Sequence, residues 1–387
     1  MQIEKSGRLK QLPPYLFAEI DKKKKQLIAE GKDVLNLGVG DPDSPTPSFI
    51  VEEMKKNLHL QDVQKYPFDN GSPNFRAAIA RWHKRNTGVT LDPNTEIYPL
   101  IGSKEGIAHI PLALVNPGDY TLVPEPGYPP YRSGTIFAGG IPYFMPLKSE
   151  NGFLPDFSKI PSEVAKKTKL MYLNYPNNPT GALADESFYR IAIDFCAEHN
   201  IVLCQDAAYS EMYFGNRPVS VLQLGGGRDV AVEFHSLSKT FSMCGWRMGW
   251  IAGNAAVVKL MGELKTNLDS GQFMAIQETA AYALDNGDEE VKKLRAMYER
   301  RRNVFINALK KLNLDIQPQP ATFYVWFRVP QGFTSVTFAN ALLEKANVVV
   351  TPGNGFGPSG EGFVRISLTS DETILLKAAE RILKFKD

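Results

Sequence analysis

The sequence predicts an α/β protein. A large unit is expected on a mostly parallel central sheet covered by helices, with a smaller α+β unit assembled from N- and C-terminal segments. Three observations carry this. Short apolar runs alternate with helical stretches from residue 97 to 253, the pattern of a parallel sheet covered on both faces. From about residue 270 the chain turns to long helix formers and then to a few strands and helices. The 387 residues favour two domains over one and leave ample chain for a core. The expected division is an N-terminal arm with part of the small domain over 1–45, a large domain over 46–285 and a small C-terminal domain over 286–387.

Residues 1–34 read as an arm and a helix. Leu12-Pro13-Pro14-Tyr15 is extended, because a residue before proline is pushed out of the helical region. Lys22-Lys23-Lys24-Lys25 lies among Leu16, Phe17, Ile20, Leu27 and Ile28 and reads as the wet face of an amphipathic helix. Val34–Asp43 is a short strand running into a turn, where Gly40 lets backbone approach a ligand. After the rigid loop Tyr66–Pro73, the spacing of Phe75, Ile79 and Trp82 predicts a helix over 74–86.

Strand Ile97–Ile101 then feeds Gly102-Ser103-Lys104-Glu105-Gly106 and a helix to Val115. A helix start of this kind is an anion site, because its first N–H groups are unpaired and the dipole is positive there. Strand Tyr120–Val123 leads to the turn Pro124–Tyr131, and strand Lys169–Leu173 to the turn Asn174–Gly181. A helix over 185–199 precedes strand Ile201–Cys204, which ends on Gln205-Asp206. Asp206 therefore stands at a carboxyl end, where open α/β sheets bind ligands. Residues 272–313 read as one or two long helices. Strand Thr322–Arg328, helix 335–346, strand Val348–Thr351, loop Pro352–Gly360, strand Phe363–Leu368 and helix 371–385 complete the smaller unit. Thr369-Ser370-Asp371-Glu372 has the form of a capping box.

A net charge of +2 gives nucleic acids and anionic membranes no handle. Cys196, Cys204 and Cys244 are odd in number and form no CxxC, so reduced, buried thiols are expected. No long apolar run opens the chain, and none reaches the ~18 residues of a membrane span. A cytoplasmic protein is expected.

The chemistry centres on Ser236-Leu237-Ser238-Lys239-Thr240, with Arg247 eight residues beyond Lys239. Lys239 lies on a loop between two apolar strands. An amine in a desolvated site can become a nucleophile toward a carbonyl. Two hydroxyls and a guanidinium close by can hold a phosphate. A Schiff base with pyridoxal phosphate (PLP) needs these groups. It also needs a carboxylate at the ring nitrogen, a donor at the ring oxygen and an aromatic on one ring face. Asp206, Tyr209 and Tyr128 are the candidates.

Asn178-Pro179-Thr180-Gly181, Asp206-Ala207-Ala208-Tyr209, Ser236-Leu237-Ser238-Lys239, Arg247-Met248-Gly249 and Arg365-Ile366-Ser367-Leu368 occur in one order along nearly the whole chain. In these motifs the chain resembles the class I/II PLP-dependent aminotransferases of fold-type I. The resemblance implies that Lys239 binds PLP and moves the substrate proton, and that Asp206 partners the pyridine nitrogen. It implies that Tyr209 and Asn178 hydrogen-bond the ring oxygen and that Tyr128 stacks on the ring. Ser103, Lys104, Ser236, Ser238 and Arg247 would hold the phosphate. Arg365 would grip the substrate α-carboxylate, helped by Asn178 and the Gly40 backbone. Tyr66 would reach the phosphate of a neighbouring subunit, which implies a homodimer with shared sites.

Leu12–Ile20, Gly38–Asp43, Tyr66–Gly71 and Ile101–Gly106 further resemble the LL-diaminopimelate aminotransferase branch. This implies amino transfer between LL-2,6-diaminopimelate and 2-oxoglutarate, with Tyr15, Lys104, Tyr128 and the Gly38–Asp43 turn as further substrate contacts. Transfer from aspartate, alanine or an aromatic amino acid, or β-elimination on the same fold, are the alternatives. No metal is implied, and no segment is left to serve as a DNA-binding module.

Overall fold

The computed structural model describes residues 1, 3–12, 17–67, 70–310 and 316–385. Among the described residues there are twelve strands: β1 (Leu35–Asn36), β2 (Ile97–Leu100), β3 (Tyr120–Glu125), β4 (Ile141–Pro146), β5 (Thr168–Asn174) and β6 (Val202–Asp206). They continue as β7 (Ala231–Ser236), β8 (Gly249–Gly253), β9 (Tyr324–Arg328), β10 (Val348–Val349), β11 (Thr351–Pro352) and β12 (Phe363–Ser367).

Seven strands make the central sheet in the order β2-β8-β7-β6-β5-β3-β4. The block β7-β6-β5-β3-β4 is parallel throughout, and β8 runs antiparallel to both its neighbours. Strand β2 is therefore parallel to the rest. The carboxyl ends of β2, β3, β5, β6 and β7 consequently share one edge of the sheet. Because β8 returns antiparallel beside β7, with Ser236 opposite Gly249, the intervening Lys239 loop must both leave and re-enter at that edge. This reversal places the lysine where the sheet's other chain ends converge.

A second core gathers β9, β12 and β11, which form an antiparallel sheet, and the β1–β10 pair, which joins residues 35–36 to 348–349 in parallel. Leu35, Leu37, Phe323, Val325, Val348 and Val364 are buried together there. Arg301, 6% exposed, donates to both carboxylate oxygens of Asp43 at 2.7 and 2.8 Å. This ties the helix Asp288–Leu309 to the turn after β1.

Most expected elements are present. Helix Pro73–Thr87 starts where the Ser72 hydroxyl accepts the Phe75 N–H, and helix Glu186–His199 starts where Asp185 accepts the Phe188 N–H. The stretch 272–313 contains two helices, Met274–Asn286 and Asp288–Leu309, divided at Gly287. Asp288, Glu289 and Glu290 open the second, where the helix dipole favours negative charge. The box expected at Thr369–Glu372 is not formed. Asp371 caps helix Glu372–Leu383 through the Ile374 N–H, and the Thr369 hydroxyl donates to the Val39 carbonyl.

Strand β4 and the helices Ser48–Asn57, Pro129–Phe137 and Ala255–Lys265 were not foreseen. Strand β4 is an edge strand containing Pro142 and Pro146, residues that weaken the strand signal in sequence. Pro129 and Pro130 occupy the first helical positions, where proline is accepted, although the pair reads as a turn in sequence.

Helix Ser103–Leu114 is held at its start by a buried cation. Lys265 is 2% exposed and lies 3.1 Å from Glu105 and 2.9 Å from Asp269. Glu105 also accepts the Ile101 N–H at 3.1 Å. Removing one partner of a buried ion pair leaves the others uncompensated. Lys265→Ala should lower unfolding stability by about 3 kcal/mol, measured from the denaturant midpoint.

Candidate active site

A cavity of about 1290 Å³ opens along the carboxyl edge of the central sheet and extends to the three-stranded sheet. Lys239, Asp206, Tyr209, Asn178 and Tyr128 all line it, as do Ser103, Lys104, Ser236, Ser238, Arg247, Gly40 and Arg365. The sequence motifs, up to 327 residues apart, thus meet in one place. Tyr66 is 76% exposed and does not line this cavity. Tyr15 lies outside the described residues.

Lys239 sits in the four-residue helix Leu237–Thr240, which directly continues β7. Its Nζ donates to the Gly40 carbonyl at 2.8 Å and lies 3.5 Å from Cys244 Sγ and 3.8 Å from Asp41. The lysine side chain is 16% exposed, so the amine faces the cavity rather than bulk water.

Asp206 ends β6 and is 5% exposed. Its carboxylate accepts the Tyr131 hydroxyl at 2.7 Å and the Ala208 N–H at 3.1 Å. Burial pushes the carboxyl up to about 6, while those two donors pull the other way. Asn174, its register partner on β5, donates its side-chain amide to the Asp206 carbonyl at 2.9 Å. Tyr131 and Asn174 were not singled out in the sequence. Tyr131 stands three residues after Tyr128, and only its buried position, stacked on Tyr172 at 4.8 Å, reveals its part.

The other end of the cavity is a cradle for an anion. Helix Ser103–Leu114 begins without a side-chain cap, so the N–H groups of Ser103 and Lys104 stand at an uncapped start that suits an anion. Gly102, at φ 75°, leaves room for Arg247: a Cβ there would stand 2.5 Å from the guanidinium. Arg247 donates to the Cys244 carbonyl at 2.8 Å, and Gln272 donates to the backbone carbonyls of Trp246 and Arg247, both at 2.6 Å. Ser236 Oγ accepts the Ser238 N–H at 3.2 Å, fixing both serines at the end of β7.

Arg365 lies mid-strand on β12 and is 6% exposed. It donates to Asn178 Oδ1 at 2.8 Å and to the Gly38 carbonyl at 2.9 Å. Its Nε is buried with no hydrogen-bond partner among the described residues. The backbone acceptor on this guanidinium is therefore Gly38. The Gly40 carbonyl accepts from Lys239. The guanidinium is sandwiched between Tyr324 at 4.1 Å and Phe356 at 4.8 Å, a favourable setting for a desolvated cation. Tyr324 also shares a 2.9 Å hydrogen bond with the Tyr209 hydroxyl. Neither Tyr324 nor Phe356 carried a signal in the sequence beyond aromatic content in a strand and a loop.

The comparisons with known proteins agree with this geometry. The family model for class I and II aminotransferases matches residues 32–382. The chain belongs to the class I and II aminotransferases. An LL-diaminopimelate aminotransferase of Aquifex aeolicus is 54% identical over 99% of both chains, and one of Syntrophobacter fumaroxidans is 49% identical over 99% of both. Among solved structures, BacF of Bacillus subtilis without ligand superposes with a TM-score of 0.95 at 42% identity, covering 99% of this chain and 98% of BacF. A Thermus thermophilus aspartate aminotransferase double mutant gives 0.92 at 28% identity, over 99% and 100%.

The cofactor of this aminotransferase is PLP. The residues present fit it. An anion cradle, a cavity-facing amine and a buried acid occur in one cavity, and the acid's raised pKa records a desolvated carboxylate that gains from a cation beside it.

Between about pH 4 and about pH 6 the folded Asp206 carboxyl holds a proton that the unfolded chain releases. The cofactor-free protein should therefore lose stability as pH rises through that window. Asp206→Asn should flatten this slope in thermal melts recorded from pH 4 to 7. A Cβ at Gly40 would overlap the Tyr324 phenol. Gly40→Ala should displace Tyr324 from Tyr209 and Arg365, lowering kcat/KM by about 10²-fold in steady-state assays.

Proposed function

We propose that this aminotransferase transfers an amino group between LL-2,6-diaminopimelate and 2-oxoglutarate, within lysine and diaminopimelate biosynthesis. The observation that carries the reading is full-length identity near one half to relatives bearing that name. The cavity supports it. Its volume of about 1290 Å³ exceeds the range common for small-molecule sites, as a long substrate beside a bulky cofactor requires.

In this reading Asp206 holds the pyridine nitrogen protonated. Tyr209 and Asn178 bind the ring oxygen, and Tyr128 packs on the ring face. Ser236, Ser238, Arg247, Ser103 and Lys104 bind the phosphate, the last two at the helix start. When bound, PLP supplies the electron sink that stabilises negative charge at the substrate Cα. Arg365 grips the α-carboxylate as a fork, with Asn178 and Gly38 holding the guanidinium square to it. Lys239, whose amine is held by the Gly40 carbonyl, would move the proton between the substrate Cα and the cofactor C4′. Tyr15, Gly40, Lys104 and Tyr128 are the remaining proposed substrate contacts.

The chain divides functionally into 1–45, 46–285 and 286–387, with the cavity between the sheets of the last two. We place the enzyme in the cytoplasm as a homodimer. Cys196 and Cys204 are free and buried, as a reducing compartment allows. Tyr66, Leu58, Leu60 and Leu268 leave large apolar area exposed, which a second copy would cover while delivering Tyr66 to the neighbouring phosphate. Among the described residues no helix is long and apolar enough to cross a membrane.

An amino-donor panel with 2-oxoglutarate tests the substrate. LL-diaminopimelate should give the highest kcat/KM, and full activity with alanine or aspartate but none with LL-diaminopimelate would sink the reading. Lys239→Ala should abolish turnover and remove the visible absorbance of the PLP-lysine adduct. Sedimentation equilibrium should return twice the chain mass.

A further inference from the structure

The two halves of the anion cradle come from distant parts of the chain, and one buried lysine is bonded toward both. The first half is the turn Ile101–Ser103 with the helix start behind it. The second is Arg247, whose guanidinium lies against Gly102. Lys265 ends the helix Ala255–Lys265, and its side chain is 2% exposed. An ammonium this deeply buried is costly unless it is paired and hydrogen-bonded.

Toward the first half, Lys265 Nζ lies 3.1 Å from Glu105 Oε2, and that same oxygen accepts the Ile101 N–H at 3.1 Å. Glu105 stands in the first turn of helix Ser103–Leu114, so it ties the end of β2 to the helix start. Its negative charge alone would oppose an anion bound there, and the Lys265 ammonium offsets it. Toward the second half, Lys265 Nζ donates to both oxygens of Asp269, at 3.1 and 2.9 Å. Asp269 Oδ1 accepts the Gly271 N–H at 2.6 Å, which fixes the turn before Gln272. The Gln272 amide then holds the carbonyls of Trp246 and Arg247. Arg247 has φ 56°, a left-handed backbone that is unfavourable for a bulky side chain. The Gln272 contacts hold that strained backbone in place, with its guanidinium beside Gly102.

We propose that Lys265 is a positioning residue for the cofactor phosphate. It clamps the helix start through Glu105 and Arg247 through Asp269 and Gln272, and so sets the spacing of the cradle. None of Lys265, Glu105, Asp269 and Gln272 lines the cavity, so each acts through the groups that do. The proposal rests on the reading of Ser103, Lys104 and Arg247 as phosphate ligands.

The test compares PLP with pyridoxal, which has the same aldehyde and ring but no phosphate. Affinities for the cofactor-free protein are read from the visible absorbance of the lysine adduct, and denaturant unfolding of the same samples reports stability. Wild type should bind PLP more tightly than pyridoxal. Lys265→Met should weaken PLP binding by about tenfold, the loss typical of one charge-assisted hydrogen bond, and leave pyridoxal unchanged. Gln272→Ala, which keeps the buried charges, should narrow the same preference and carries the test if Lys265→Met does not fold. The double variant should narrow it no further than Lys265→Met alone, as for two links of one chain. Losses equal for PLP and pyridoxal, or a preference unchanged in Gln272→Ala, would overturn the positioning role and leave Lys265 a stabilising ion pair only. A wild-type protein that binds PLP and pyridoxal equally well would overturn the phosphate reading of the cradle, and the positioning role with it.

Discussion

The desolvated carboxylate of Asp206 is the constraint around which the site is built. A buried carboxylate is costly unless donors or a cation compensate it. The chain supplies two neutral donors, the Tyr131 hydroxyl and the Ala208 N–H. These orient the group without neutralising it. The carboxylate therefore retains a demand for positive charge, which the proposed pairing with a protonated pyridine nitrogen would meet. Tyr131 is itself fixed by stacking on Tyr172, whose hydroxyl donates to the Ile107 carbonyl in the helix that begins the anion cradle. The acid and the helix start are thus braced through the same buried aromatic pair.

The substrate end follows a different principle. Arg365 belongs to β12, Asn178 to the turn after β5, and Gly38 to the segment after β1. Three chain segments that are remote in sequence must be packed correctly before the guanidinium has its partners. Tyr324 joins this assembly to the cofactor end, since one ring packs on Arg365 and its hydroxyl meets Tyr209. Its close approach to Gly40 leaves no room for a side chain at that position. The glycine in the turn after β1 is thus set by an aromatic nearly three hundred positions away in the chain, and its carbonyl is free to receive Lys239.

This contrast explains what could be read from the sequence. The cofactor end is built from short contiguous motifs at strand ends, so Lys239, Asp206 and the serines were legible as chemistry and their convergence followed from a parallel sheet. Arg365 was legible only through the motif Arg365-Ile366-Ser367-Leu368 and the family resemblance that motif carries. Tyr131, Asn174, Tyr324, Phe356 and Gln272 were not, since their roles arise from which segment lies opposite them. Strand β4 was missed for a similar reason, because its two prolines weaken the strand signal and the edge position that accommodates them is a property of the assembled sheet. The basic run at Lys22–Lys25 was read by helical periodicity alone. Periodicity separates a polar face from an apolar one, but a polar face can look onto a cavity as readily as onto solvent.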